Sequence, residues 1–218
     1  MTKRDKMERR AYSFEIRADD AESGAGIITG RPIVYESKTD LGYFDEVIKR
    51  GALKGANLKD VRFLVNHDVS RIPLARSRNN NENSTMQLMP DDEGLSIRVT
   101  LDVANNNEAR ALYSAVQRGD ITGMSFMFAV GEEDWSGLDT DHPTRTIISI
   151  AEVLEVSAVT FPAYESTEIE TKSKGALDNA RARALDNARH KAPDGAITLD
   201  VLKARNHNII FGGSYYAY

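Results

Sequence analysis

The chain has 218 residues, 41% hydrophobic and 28% charged. This is ordinary globular usage at a length suited to one domain and a tail, which excludes wholesale disorder. A formal net charge of -5 argues against a protein built to grip phosphate backbones, and the absence of cysteine excludes disulfide scaffolds, zinc–thiolate sites, iron–sulfur clusters and thiol catalysis. No apolar run reaches the roughly 18–20 residues of a membrane span. The charged Met1–Arg10 stretch is followed by no apolar h-region, which reads as no secretory signal. Neither nucleic acid nor a membrane is expected as a partner.

Charge divides the chain. Thr171–Tyr218 carries eight Lys and Arg against four Asp, a net of +4 that leaves -9 on the rest. The expected organisation is a charged N-terminal arm over 1–10, a patterned domain over 11–168, and a basic, loose C-terminal segment over 169–218.

In chain order, Ala11–Arg17 alternates apolar and polar residues as a half-buried strand does. Ile27–Tyr35 reads as a second strand, with Gly30 and Pro32 marking a bulge or an edge. Phe44, Val47 and Ile48 have helical spacing before Gly51, predicting a short helix. Val61–His67 is a strand. Met86–Met89 and Leu95–Val103 form a hairpin across a longer loop, Pro90–Gly94. Asn107–Arg118 is the clearest helix, with Ala109, Leu112, Tyr113 and Val116 on one face, an Asn cap and Gly119 after its end. Strands return at Ile121–Val130 and Arg145–Thr160. In the tail, Ala176–Arg181 recurs as Ala184–Arg189, a helix-favouring repeat of two copies. Many strands and few helices predict a β-rich α+β fold with a closed or nearly closed sheet and helices outside it.

Few residues offer chemistry. The four histidines lack a second ligand at metal spacing beyond the adjacent Asp68 and Asp141, and no phosphate-binding glycine loop or Gly-x-Ser-x-Gly elbow occurs. His67 ends an apolar strand face shared by Val61, Phe63 and Val65, where it is either a satisfied core group or a placed base. Ser125 follows Gly123-Met124 and points away from the face of Met124, Phe126, Phe128 and Val130. Glu152 and Glu155 interrupt the apolar stretch Ile147–Val159, where a carboxylate needs a partner. Three apart, they face opposite sides of a regular strand. Either one of them is solvated while the other turns inward to orient a histidine, or the strand simply has one wet face.

Together these segments resemble the prohead maturation proteases of tailed bacteriophages, of the HK97 type. The resemblance rests on Tyr43-Phe-Asp-Glu-Val-Ile-Lys-Arg-Gly-Ala-Leu53, on Val65-Asn-His-Asp68 followed by Pro73-Leu-Ala-Arg76, on Gly119-Asp-Ile-Thr-Gly-Met-Ser-Phe-Met-Phe128, and on Leu154-Glu-Val-Ser-Ala-Val-Thr-Phe-Pro-Ala-Tyr164. The chain departs from the family at Ala75, normally Gly, and at Met127, often Gly. The resemblance implies an assemblin-like seven-stranded β-barrel with surrounding helices. It implies a serine endopeptidase with Ser125 as nucleophile, His67 as base and Glu155 as the orienting acid, Glu152 being the second choice. No cofactor or metal is implied. The implied partners are the major capsid protein with its scaffolding segment and the chain itself, by autocleavage or as a homodimer, inside the prohead in the host cytoplasm. On this reading the tail is a self-cleavage or targeting segment. Two other readings are a non-catalytic capsid-assembly scaffold or chaperone of the same fold, and a small β-rich ligand-binding module.

Overall fold

Period-two alternation resolves into eleven strands and two helices in the computed structural model, which describes residues 7–12, 16–20, 25–161 and 167–191. The strands are β1 (Met7–Tyr12), β2 (Ile16–Asp20), β3 (Gly26–Val34), β4 (Lys38–Asp40), β5 (Asp45–Ile48), β6 (Asp60–Val65), β7 (Ala75–Arg78), β8 (Met86–Asp91), β9 (Gly94–Leu101), β10 (Gly123–Ser136) and β11 (Thr144–Val159); the helices are α1 (Asn107–Gln117) and α2 (Thr167–Lys191). One sheet has seven strands, in the order β1-β10-β11-β5-β4, with β6 also paired to β11 and β7 to β6. The other has four, in the order β2-β3-β9-β8. No closed barrel is found among the described residues, which corrects that part of the expectation; the β-rich α+β class stands.

Both sheets and α1 contribute to one core. Ile28, Ile33, Leu95 and Ile97 from the smaller sheet join Phe63, Phe126, Phe128 and Val156 from the larger one. Leu112 and Val116 supply the apolar face of α1. Asn106 caps this helix, its side chain accepting from Glu108 N at 2.9 Å and Ala109 N at 3.2 Å. Gly119 follows in the left-handed region, φ +78°.

The chain forms two compact units, residues 1–177 and 178–218. Of the tail expected to be loose, residues 167–191 are helical and carry the short repeat, while residues 192–218 lie outside the described residues.

Four local expectations change. The single strand expected over Ala11–Arg17 is divided between sheets, β1 in the larger and β2 in the smaller. The short helix expected near Phe44–Ile48 is strand β5, which pairs antiparallel with β4 and parallel with β11. There Phe44, Glu46 and Ile48 are all buried, so the true period is two. Counting Glu46 as a surface residue conceals that period. The loop between the hairpin strands shrinks to Asp92-Glu93, because Pro90 and Asp91 pair with Leu95 and Gly94. Lastly, His67 does not continue the strand, which ends at Val65.

Candidate active site

Ser125 is the third residue of β10, between β1 and β11. Met124, Phe126 and Phe128 are fully buried in the core, and alternation sends Ser125 to the other face with Met127 and Ala129. Ser125 is itself 0% exposed.

His67 reaches it through a turn. After Val65, Asn66 and His67 both adopt left-handed backbone, φ +50° and +58°, a region that non-glycine residues seldom enter. The turn is held from several sides. Asn66 N donates to Ala158 O at 3.0 Å, Thr160 N donates to Asn66 Oδ1 at 3.0 Å, and His67 N donates to the Ser157 hydroxyl at 3.1 Å. Two left-handed residues in succession break the strand period and swing the imidazole across to β10. Its Nε2 lies 2.6 Å from Ser125 Oγ, and its Nδ1 bonds Glu155 Oε1. A carboxylate can only accept, so Nδ1 carries the hydrogen and Nε2 is left as the acceptor for the serine proton.

Glu155 is 3% exposed. Ser157, two residues on along the same face, donates to Glu155 Oε2 at 2.6 Å. One hydroxyl thus ties the acid to the backbone of the base. Between Met127↔Glu155 and Phe128↔Val153 the register shifts by one, leaving Leu154 as an extra residue on β11, a β-bulge. The bulge corrects the expectation that Glu152 and Glu155 face opposite sides. Their partners, Ala129 and Met127, share a face, so the two glutamates do as well. Glu152 nevertheless lies apart from the imidazole and accepts from Asn57 Nδ2 at 2.9 Å. The structure thus brings His67, Ser125 and Glu155 together and leaves Glu152 outside the group.

Ser125 Oγ has a second acceptor, the carbonyl oxygen of Arg10 on β1, at 2.7 Å, so its single hydrogen serves either His67 Nε2 or this carbonyl at one time. The Arg10 side chain runs to the opposite face of the sheet, its guanidinium 5.7 Å from the centroid of the Phe128 ring. There it meets Glu46, with Nε 2.5 Å from Oε1 and Nη2 2.7 Å from Oε2. Arg145 joins the cluster, bonding Glu46 at 3.0 Å, Glu8 at 2.6 Å, and Glu133. Burial alone would push the Glu8 carboxyl up; the two guanidiniums outweigh it and hold Glu8 at about 2 against an ordinary 4.5. Glu8 and Glu46 in turn hold Arg145 charged, raising its pKa against burial and the neighbouring Arg10.

A cleft of about 260 Å³ beside the acid is lined by Arg62, Leu64, Val69, Pro73, Met127 and Glu155. Away from it, Asp40, Asp45 and His142 approach one another, but the Lys38 ammonium takes Asp45 Oδ2 at 2.6 Å. No described helix is long and apolar enough to cross a membrane.

Sequence reasoning missed Ser157, Glu46 and Arg10. Ser157 carried a signal, since it follows Glu155 at strand spacing and so shares its face. Arg10 and Glu46 carried none, since each reads locally as a surface charge.

Known proteins share this sequence pattern. The prohead protease of Enterobacteria phage HK97 is 28% identical over 160 residues, covering 72% of this chain and 64% of its own length, so the chain spans less than two thirds of that relative. The solved structure of the bacteriophage T4 capsid assembly protease aligns with a TM-score of 0.37 and 13% identity, over 70% of this chain and 98% of that one. The profile of the family described as caudovirus prohead serine protease matches residues 12–181, which take in the histidine turn, the serine strand and the glutamate strand alike. With that match covering most of its length, the chain belongs to the caudovirus prohead serine protease family.

Proposed function

We propose that this chain is a serine endopeptidase of capsid maturation that cuts the scaffolding segment of the major capsid protein inside the prohead. The observation that carries the reading is the hydrogen-bonded series Ser125–His67–Glu155. Ser125 is a weak nucleophile until a base takes its proton, and His67 Nε2 lies where that transfer occurs. Glu155, hydrogen-bonded to Nδ1, fixes the tautomer and stabilises the imidazolium that forms. Attack on a peptide carbonyl gives an acyl-serine, with the proton passing from His67 to the departing amine. Water, deprotonated by His67, then cleaves the ester and returns the serine. The partners on this reading are the capsid protein and other copies of the chain, with the tail as a segment for targeting or self-removal.

Co-expression with the major capsid protein of the same genome tests the reading, with native chain compared against Ser125→Ala by intact mass. Trimming of the capsid protein by the native chain alone is the expected result. Equal masses would remove Ser125 as the nucleophile. One observation favours the alternative of a non-catalytic assembly scaffold: the complete burial of Ser125. The same experiment separates the two, because a scaffold leaves the capsid protein whole in both arms.

A further inference from the structure

Ser125 has no exposed surface, and one of the groups lying against it is an edge strand of the chain itself. β1 is the edge strand of the larger sheet and pairs antiparallel with β10, with Arg10 opposite Phe126 and Ala11 opposite Ser125. An extended peptide added to a sheet edge binds in just this manner, backbone to backbone, with side-chain pockets giving the selectivity. The Ser125 hydroxyl lies 2.7 Å from the carbonyl oxygen of Arg10, which brings that carbonyl group beside the nucleophile. The Arg10 side chain is 4% exposed and gripped by both oxygens of Glu46. The family profile begins at residue 12, so five of the six residues of β1 precede the part that it matches.

We propose that β1 lies where an extended substrate lies, with Arg10 at the residue whose carbonyl Ser125 attacks and Glu46 reading the basic side chain there, so that this site cuts its own Arg10–Ala11 bond and cuts other chains after arginine or lysine. The inference rests on the protease reading above. Part of the pocket stays when β1 leaves: Arg145 loses its two bonds to Glu8 of β1 but keeps Glu46 at 3.0 Å and Glu133. The three side chains that remain sum to one negative charge, which favours a cation as the next occupant. A neutral or acidic side chain would leave Glu46 buried with one guanidinium fewer.

The step follows the general scheme. The Ser125 proton passes to His67, and a bond forms from Oγ to the Arg10 carbonyl carbon. The bond from that carbon to Ala11 N breaks as His67 returns the proton to the new amine. Water then frees Arg10 as a carboxylate and restores the serine hydroxyl. Departure of the fragment ending at Arg10 opens the β10 edge for a chain in trans.

The test uses the full chain, native and Ser125→Ala, with intact mass, N-terminal sequencing and labelling of the serine by a fluorophosphonate. A new terminus at Ala11 in the native chain alone is expected, followed by capsid-protein cuts after Arg or Lys. Arg10→Lys keeps the cut at a rate lower by about tenfold, since an ammonium cannot reproduce the forked contact. Arg10→Gln lowers it by about a hundredfold, and Arg10→Lys controls for folding of that variant. A labelled or capsid-cutting enzyme whose Arg10–Ala11 bond stays whole, or whose cuts follow non-basic residues, overturns this inference and leaves the protease reading standing. Arg10→Gln cut at the native rate removes the role of Glu46. A chain that neither labels nor cuts anything overturns the protease reading, and this inference with it.

Discussion

Ser157 and Glu155 share one face of β11, and the Ser157 hydroxyl donates to Glu155 Oε2 at 2.6 Å while accepting the backbone N–H of His67 at 3.1 Å. One buried oxygen therefore holds both the acid and the turn that carries the base. Ser157→Ala frees both. A hydrogen bond to a charged group contributes about 1.5–3 kcal/mol, so kcat should fall roughly 10- to 100-fold. A change confined to kcat, with KM held, marks a positioning role; a rise in KM alone would contradict it.

Glu155→Gln keeps the shape of the acid and removes its charge. Loss of the orienting carboxylate in a serine–histidine–acid group costs about 10⁴-fold in kcat, and a loss of that order is expected here. Glu152→Gln, whose partner is Asn57, should stay within about threefold of native. Capsid-protein trimming followed over time in the two variants decides between them, and the reverse ranking would move the acid to Glu152.

The Glu8 carboxyl gives the fold a marked acid dependence. Its folded-state pKa lies at about 2, below its ordinary 4.5, so the stability it contributes is complete above about pH 4.5 and disappears as pH falls towards 2. Urea unfolding of Ser125→Ala and of Ser125→Ala with Glu8→Gln should differ most near pH 6. The gap should narrow steadily between pH 4.5 and 2. A gap that ignores pH would mean that the guanidiniums do not hold Glu8.

Two glycines should respond differently to alanine. At Gly94, φ +147°, an added Cβ would lie 1.9 Å from Ile33 O, and backbone cannot yield there. Gly94→Ala should abolish folding or cost more than about 3 kcal/mol. At Gly119, φ +78°, nothing lies within 4 Å, and the cost should stay near 1–2 kcal/mol for the left-handed backbone alone. Thermal unfolding of the two variants tests the contrast.

At the N-terminus of α1, Asn106→Ala removes an acceptor shared by two backbone N–H groups. It should lower stability by about 1 kcal/mol without altering cleavage chemistry, since the Asn106 side chain bonds only the backbone of its own helix. Denaturant titration beside a cleavage assay would show both.

How much of this could be read in the chain itself depended on whether the cause was local. Helix α1 was legible because its cap, its apolar spacing and its terminal glycine all lie within fourteen residues. Ser125 was legible as a hydroxyl on the face opposite an apolar stripe. Strand β5 was not, because its alternation passes through Glu46, a buried carboxylate whose partners Arg10 and Arg145 come from distant strands. His67 reads as the end of its strand and instead sits in a turn beyond it, since nothing local marks Asn66 and His67 as a left-handed pair. The arrangement of two sheets was beyond reach for the same reason: strand order is decided by pairings such as β1 with β10, more than a hundred residues apart.

The extra residue at Leu154 acts as a phase shifter. Counted straight through Leu154, simple alternation would put Val153, Glu155 and Ser157 on one face. With the bulge, Val153 packs in the core at 1% exposure while Glu155 and Ser157 remain beside the imidazole. A single strand is thus read in one parity for packing and in the other for chemistry. Removing Leu154 would leave both readings in place, whereas any other single-residue length change between residues 152 and 156 would exchange them and drive either a valine into the polar site or a carboxylate into the apolar interior. The surface loops 79–84 and 137–143 carry no such parity. Insertions and deletions tolerated by this chain should therefore collect in those loops and avoid β11, removal of Leu154 itself apart.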